Sequence, residues 1–515
     1  MIKKNRSTNN PRYPMDTAKR PSLSFASAPL FTVAVLLLAC TAKGAGDDTI
    51  EAVIGTKTHV LPHPRQLLWQ QREYNAFVHF SINTFTDREW GDGTEDPSLF
   101  NPSELDVNQW VRVFKEAGMK MVILTAKHHD GFCLWPSRYT DHSVKNSPWK
   151  NGQGDLLADL SEACRQAGLD FGIYVSPWDR HEPSYGNSSE YNAFYMGQLT
   201  ELLTQYGPLG EVWFDGAPGL DSPLRKNQVY DFEMYRALVR RLQPDACLFA
   251  DDGPDCRWVG NEDGTAGETC WSLLQRSNFA PGRADRNKLN TGQIDGTDWV
   301  PAECDVSIRP GWFYHAAEDR QVKTVEQLLD IYFKSVGRNG LLLLNVPPDR
   351  RGLIHPVDRE RLLLFRRALD QIFQTDYAKG AAAAASNVRS GRQVYHPQNL
   401  LDSDFDSIWA TDNGITKGWV ELDLPEETRF NVILIQEYIA QGQRVKAFGI
   451  DAWIHDQWQP IAEGTTIGYK RLLRVSPVRT RRVRLRIEDS TDCPVLSRLG
   501  LYYAPAVKGN EILSE

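Results

Sequence analysis

From about residue 60 to 375 two hydrophobic patterns take turns along the chain. Continuous apolar runs suited to strands stand at 75–82 (NAFVHFSI), 121–129 (MVILTAKHH), 170–177 (DFGIYVSP), 210–216 (GEVWFDG), 245–252 (DACLFADD), 304–310 (CDVSIRP) and 340–348 (GLLLLNVPP). Between them, 103–118, 155–168, 190–207, 231–243 and 325–340 carry apolar residues at helical spacing, several closing on a glycine suited to a helix C-terminus. Apolar strands alternating with amphipathic helices predict a parallel sheet covered by helices. About seven such units in roughly 300 residues favour a closed (β/α) TIM-like barrel over an open doubly wound sheet. No phosphate-binding glycine loop follows the first strand, which weakens a dinucleotide fold further.

At 376–387 (DYAKGAAAAASN) the composition shifts abruptly and helical spacing stops. Beyond it come short alternating strands (GWVELDL, FNVILIQEY, AFGIDAWI, QWQPIAEG, RRVRLRIED), which predict an all-β sandwich of jelly-roll type. In the last of these, Arg482, Arg484 and Arg486 point opposite to Val483, Leu485 and Ile487, the pattern of a solvated strand face. The expected division is a leader and tether at 1–45, a barrel at 46–375, a linker at 376–387 and the sandwich at 388–515.

A chain of 515 residues, 41% hydrophobic, is globular and long enough for two or three domains, and its net charge of −8 gives no general attraction to nucleic acid. The N-terminus changes the picture more. Six Lys and Arg residues precede the apolar segment LFTVAVLLLAC, which is too short for a membrane span and reads as an export signal. Its end, LLAC, resembles the lipobox of bacterial lipoproteins, which implies cleavage before Cys40, a lipid on its sulfur and a membrane-tethered protein of the periplasm or cell surface, on the outer membrane. Plain secretion with cleavage near Ala45 is the alternative. The other seven cysteines show no C-x-x-C pair, so neither zinc site nor disulfide framework is signalled.

Barrels of this type carry their active sites at the C-terminal strand ends. There the sequence places His79, the run His128–His129–Asp130, Tyr174 with Trp178, Trp213 with Asp215, and Asp251 with Asp252. Neighbouring histidines cannot easily ligate one ion and no H-x-H or H-E-x-x-H spacing occurs, so a metal is not expected. Aromatic rings with histidines suit a sugar, which offers C–H faces to the rings and hydroxyls to His, Glu and Asp. Cleaving a glycoside takes two carboxyls. Asp215, ending an apolar strand and followed by a glycine that frees the turn, answers for one; capping the next helix is its structural alternative.

Taken together, VHFSINTF, EW, TAKHHDGFCLWPS, FGIYVSPWD and GEVWFDG resemble glycoside hydrolase family 29 α-L-fucosidases, in order through most of residues 60–375. The resemblance implies an exo-acting retaining enzyme with Asp215 as nucleophile, and His79, Glu89, Trp90, His128, His129, Tyr174 and Trp213 lining the fucose subsite. For the acid/base it leaves Glu262, Glu268 and Glu303. RWVGNE resembles the loop of the subgroup preferring α-1,3/4-linked fucose, which favours Glu262 with Arg257 beside it, while Glu303 and Trp312 look like substrate-shaping residues. NLLDSDFDSIWATDNGITKGWVELDL resembles discoidin-like (F5/8 type C) modules, many of which bind carbohydrate; DSDFD could hold structural calcium or be a polar turn. The expected partners are fucosylated glycans, and the chemistry calls for no cofactor. A silent glycan-binding lipoprotein, a transfucosylase on the same site and a metal-dependent hydrolase are the competing readings.

Overall fold

The computed structural model describes residues 50–513 except 52, 53, 58 and 284; the leader and Cys40 lie outside the described residues. Eight parallel strands close a barrel: β1 Tyr74–Val78, β2 Met121–Lys127, β3 Asp170–Val175, β4 Glu211–Trp213, β5 Cys247–Ala250, β6 Cys256–Trp258, β7 Ala302–Ser307 and β8 Leu341–Asn345. Each strand pairs with its neighbours in sequence and β8 closes onto β1. The sequence pattern misses β6. It has three residues, and only a turn separates it from β5 where a helix is expected.

Helices α1 Pro64–Arg72, α2 Val107–Glu116, α3 Leu156–Ala167, α4 Ser188–Gln205, α5 Phe232–Leu242, α6 Val325–Lys334 and α7 Pro356–Phe373 complete the barrel. Their starts are written in side chains: Asp106, Asp155 and Asp231 precede α2, α3 and α5 and accept backbone N–H groups of the first turn. Gly168 ends α3 at φ 72°, a conformation that favours glycine. Outward side chains such as Val78, Leu124, Ile173 and Val212 pack under the helices, while Phe77, Ile123, Tyr174, Trp213 and Phe249 fill the interior. Trp69 of α1 belongs to that interior layer, at the barrel end opposite the mouth.

The C-terminal module is antiparallel: β9 Ala382–Ala385, β10 Gly418–Glu437, β11 Val445–Ile454, β12 Gln457–Gly464, β13 Arg471–Ser490 and β14 Val495–Tyr502. β10 and β13 pair along nearly their whole length, with register shifts between Asp423 and Thr428 and between Phe430 and Val432. On one side of the shifts β10 also pairs with β9, and β13 with β11; on the other β10 pairs with β14. The long strands thus pass from one layer to another around a core that includes Val420, Leu422, Ile433, Ile435, Leu485 and Leu499.

Three expectations need correction here. Residues 382–385 of the anticipated linker are a strand of the module, four consecutive alanines pairing antiparallel along β10. Residues 54–57, expected in a barrel of residues 46–375, attach to the module: Ile54 packs with Cys493 and Val495, the Arg444 guanidinium donates to the Ile54 carbonyl at 2.6 Å, and Asp492 accepts the N–H groups of Thr56 and Lys57 at 2.7 and 3.0 Å. The arginine face is not merely solvated: Arg484 and Arg486 bond Asp451, and Arg482 and Arg484 stack over Trp458. At 402–406 the turn closes on itself, Asp402 and Asp404 accepting the N–H groups of Asp404 and Asp406 at 2.9 and 3.0 Å. The seven described cysteines are buried thiols.

One buried ion pair fixes the strand end that carries the paired histidines. Lys127, the last residue of β2, donates to Asp179 Oδ2 at 2.9 Å and Gln198 Oε1 at 2.8 Å, with both charged side chains almost wholly buried. Removing one partner strands the other charge, at about 3–5 kcal/mol. Asp179→Ala is therefore expected to lower the unfolding free energy obtained from urea titration by that much, and the apolar pair K127M/D179L to recover most of the loss; an unfolding free energy unmoved by Asp179→Ala would show that the pair contributes nothing.

Candidate active site

Alternation along each strand decides which side chains enter the barrel. On β7 the inward residues, from floor to mouth, are Glu303, Asp305 and Ser307, and each holds a group of another strand. Glu303 Oε1 accepts from Trp213 Nε1 at 2.7 Å, Asp305 Oδ1 from Trp258 Nε1 at 2.9 Å, and Ser307 Oγ from Asn345 Nδ2 at 2.9 Å. These bonds orient Trp213 and Trp258 and, through Asn345, His79.

Asp215 stands just past β4, partly exposed at the mouth. Tyr174 donates its hydroxyl to Asp215 Oδ2 at 2.8 Å, and the Ala217 N–H donates to Oδ1 at 2.7 Å. The latter is a local turn rather than the cap of a helix. Burial, then the charge of Asp215, raises the Tyr174 pKa well above its ordinary value, so the phenol stays a donor. Gly216 is needed for space: a Cβ there would stand 2.3 Å from Asp251 Oδ2. Asp251, also bonded to the Gly282 N–H at 2.7 Å, has its pKa pushed up to about 7, chiefly by burial.

The three histidines form one buried cluster beside this carboxyl, with ring centroids 4.0 Å apart for His128 and His129 and 5.6 Å for His79 and His128. Burial lowers the pKa of His79 to about 3 and of His129 to about 4, and puts that of His128 well below its usual value. Hydrogen bonds assign the tautomers. Asn345 gives its NH2 to the Trp312 carbonyl, so its oxygen accepts from His79 Nδ1 at 2.8 Å. Ser176 donates to the Trp178 carbonyl, so His129 Nδ1 donates to Ser176 at 2.8 Å. His129 Nε2, 3.9 Å from Asp215 Oδ2, then presents a lone pair suited to a sugar hydroxyl.

At the rim, Glu262 Oε2 accepts from Trp312 Nε1 at 3.4 Å. Glu262 reaches solvent, yet the surrounding walls raise its pKa, foremost by desolvation; the Trp312 bond opposes this and the charge of Asp215 adds to it. Glu89 braces the same rim, its carboxylate accepting from the N–H groups of Trp312 and Phe313 at 2.9 and 3.1 Å. Trp90 is half exposed and meets His129 and Trp178 edge-on at 5.5 and 5.4 Å.

The structure thus gathers His79, Glu89, Trp90, His128, His129, Tyr174, Trp213, Asp215, Glu262 and Trp312 around one mouth, but it does not bring Arg257 there. Arg257 lies between two inward residues of β6 and points outward, fully buried, donating to the carbonyls of Leu289 and Trp271 at 2.8 and 3.0 Å. The other acid/base candidates also lie elsewhere. Glu268 is tied to Arg338 and, at 2.6 Å, to Arg471 on the seam with the module. Glu303 is sealed in the barrel floor. Asp305 and Trp258 enter the site unforeseen. Burial, then the Glu262 charge, puts the Asp305 pKa well above its usual value. The i, i+2 spacing of Glu303, Asp305 and Ser307 was the available signal.

A profile described as Alpha-L-fucosidase matches residues 60–367, and one described as F5/8 type C domain matches 381–500. The chain is 47% identical over 446 residues to Alpha-L-fucosidase 1 of Arabidopsis thaliana, covering 86% of this chain and 87% of that one. Among solved structures, SpGH29 superposes with a TM-score of 0.83 at 41% identity, over 87% of this chain and 100% of that one. A Ruminococcus gnavus GH29 fucosidase in complex with fucose gives 0.81 at 36% identity, over 89% and 98%. By a profile match spanning more than half its length and by these relatives, the chain belongs to the alpha-L-fucosidase family.

Proposed function

We propose that this protein is an exo-acting, retaining α-L-fucosidase that hydrolyses terminal fucose from oligosaccharides or glycoproteins. One observation carries the assignment of roles. Asp215 is held at the mouth by the Tyr174 hydroxyl and a backbone N–H, while Glu262, at the rim of the same mouth, has its pKa raised, the direction a general acid needs. In the first step an Asp215 oxygen attacks the anomeric carbon, the bond to the leaving sugar breaks, and Glu262 protonates the departing oxygen. In the second, Glu262 takes a proton from water, whose oxygen displaces Asp215 and releases fucose with retained configuration. The steps balance with two carboxyls and water. The neutral histidines accept hydrogen bonds from sugar hydroxyls, and Trp90, Trp213 and Trp312 cover the C–H faces. The Ruminococcus gnavus relative, crystallised with fucose both intact and as an aspartate-to-alanine mutant, supports the ligand.

Preference for α-1,3/4 linkages follows from the likeness of RWVGNE to that subgroup. Export and a lipid on Cys40 follow from the basic leader and LLAC. The F5/8 type C module adds a candidate carbohydrate-binding unit.

Asp215→Ala is expected to lower kcat by more than about 10³-fold, and Glu262→Ala to lose about 10²–10⁴-fold on natural glycans. Azide should restore turnover of an activated aryl fucoside in the glutamate variant; rescue at Glu268→Ala instead would move the acid/base there. Fucose release should be much faster from Lewis-type trisaccharides than from an α-1,2-linked disaccharide, and equal rates would refute the linkage preference. In a bacterial host the wild type should partition into membranes and Cys40→Ala into the soluble fraction; identical partitioning would remove the lipid anchor.

A further inference from the structure

Under the Trp213 ring two carboxyl groups meet in the dry interior of the barrel. Glu211 opens β4 and Glu303 is the second residue of β7; both are fully buried. Glu211 Oε2 accepts from Trp69 Nε1 and Glu303 Oε1 from Trp213 Nε1, each at 2.7 Å. Cys256 Sγ donates to Glu211 Oε1 at 3.8 Å, and Glu303 Oε2 is buried without a hydrogen-bond partner. One ligand atom from each of Glu211, Cys256 and Glu303 lies within 4.8 Å of the other two. The cation acting on Glu211, Arg72, is bonded to Asp170 at 2.7 Å. Two carboxylates so close and so far from water cannot both carry charge. Burial raises both pKa values; both oxygens of Glu211 already accept from donors while Glu303 Oε2 has none, which places the proton on Glu303.

We propose that Glu211 and Glu303 share one proton as a hydrogen-bonded acid–carboxylate pair that holds the Trp213 ring at the floor of the sugar site, which makes both of them positioning residues. An indole N–H can only donate, so each glutamate turns one lone-pair oxygen toward its tryptophan. Glu303 Oε2, the one oxygen left without a partner, is satisfied when it carries the proton and its O–H donates to Glu211. The result is a continuous relay from Trp69 of α1, through both carboxyls, to Trp213, whose ring also stacks on Phe249 at 3.9 Å. Trp213 stands two residues before Asp215 and packs against Tyr174 at 5.2 Å, so a shift of its ring would reach both the nucleophile and its hydrogen-bond donor.

The proposal rests on Trp213 lining the fucose site, and its test separates the two. Glu303→Gln supplies an amide oxygen for Trp213 and an N–H for Glu211, and should keep kcat and KM within about threefold; Glu303→Leu should lose about 10²-fold in kcat through the displaced ring. Infrared difference spectra of the full chain, wild type minus Glu303→Gln at neutral pH, should contain the C=O stretch of a neutral carboxylic acid. Absence of that band, or loss in Glu303→Gln as deep as in Glu303→Leu, would overturn the pair. So would one equivalent of a divalent cation by native mass spectrometry that disappears in Cys256→Ser, since the same three side chains could hold a metal. If Glu303→Leu does not fold, the band and Glu303→Gln decide. A wild type inactive on fucosides would sink the proposed activity and leave the band and cation content to judge the pair.

Discussion

A barrel interior has no water to spare for polar groups, and β7 sends three of them inward. Left unpaired, each of Glu303, Asp305 and Ser307 would cost about 1–3 kcal/mol, a sizeable share of the roughly 5–15 kcal/mol that keeps a domain folded. Each is paired, and each partner is a group the site needs in place: Trp213, Trp258, and Asn345 with His79 behind it. Stability and the arrangement of the mouth are thereby the same set of bonds. The requirement explains why a strand in the middle of an apolar barrel reads Ala-Glu-Cys-Asp-Val-Ser.

The site divides by charge. The histidines are neutral because burial strips their water, Asp251 and Asp305 are driven toward their acid forms by the same cause, and Glu262 at the rim is pushed the same way with help from Asp215. Neutral histidines, a tyrosine and tryptophans around the Asp215 carboxylate, with the Glu89 carboxylate bound to backbone N–H groups at the rim, suit a neutral sugar on which positive charge develops during cleavage.

Much of this was legible in the chain. Continuous apolar runs alternating with helical spacing gave the barrel, and the strand-end residues gave most of the mouth, because both follow from local sequence. What escaped depends on parity and length. Arg257 neighbours the loop of Glu262 in sequence, but alternation on β6 turns it away from the cavity. Three-residue β6 is too short to show a period. The floor role of Glu303 requires knowing that β4 and β7 face each other across the barrel, and the attachment of residues 54–57 to Asp492 and Arg444 spans more than 380 positions. No local pattern encodes such distances.

That last attachment bears on how the two domains could be exchanged among proteins. The described chain starts on the module, builds the barrel, and returns to complete the module, while Leu472, Val432 and Tyr502 of the module share a core with the barrel. A recombination event with a single crossover near residue 380 would deliver a new module without the segment that covers Cys493 and satisfies Arg444. Swapping this module therefore takes two crossovers, one on each side of the barrel, and the pair of domains is inherited as a unit more readily than either alone.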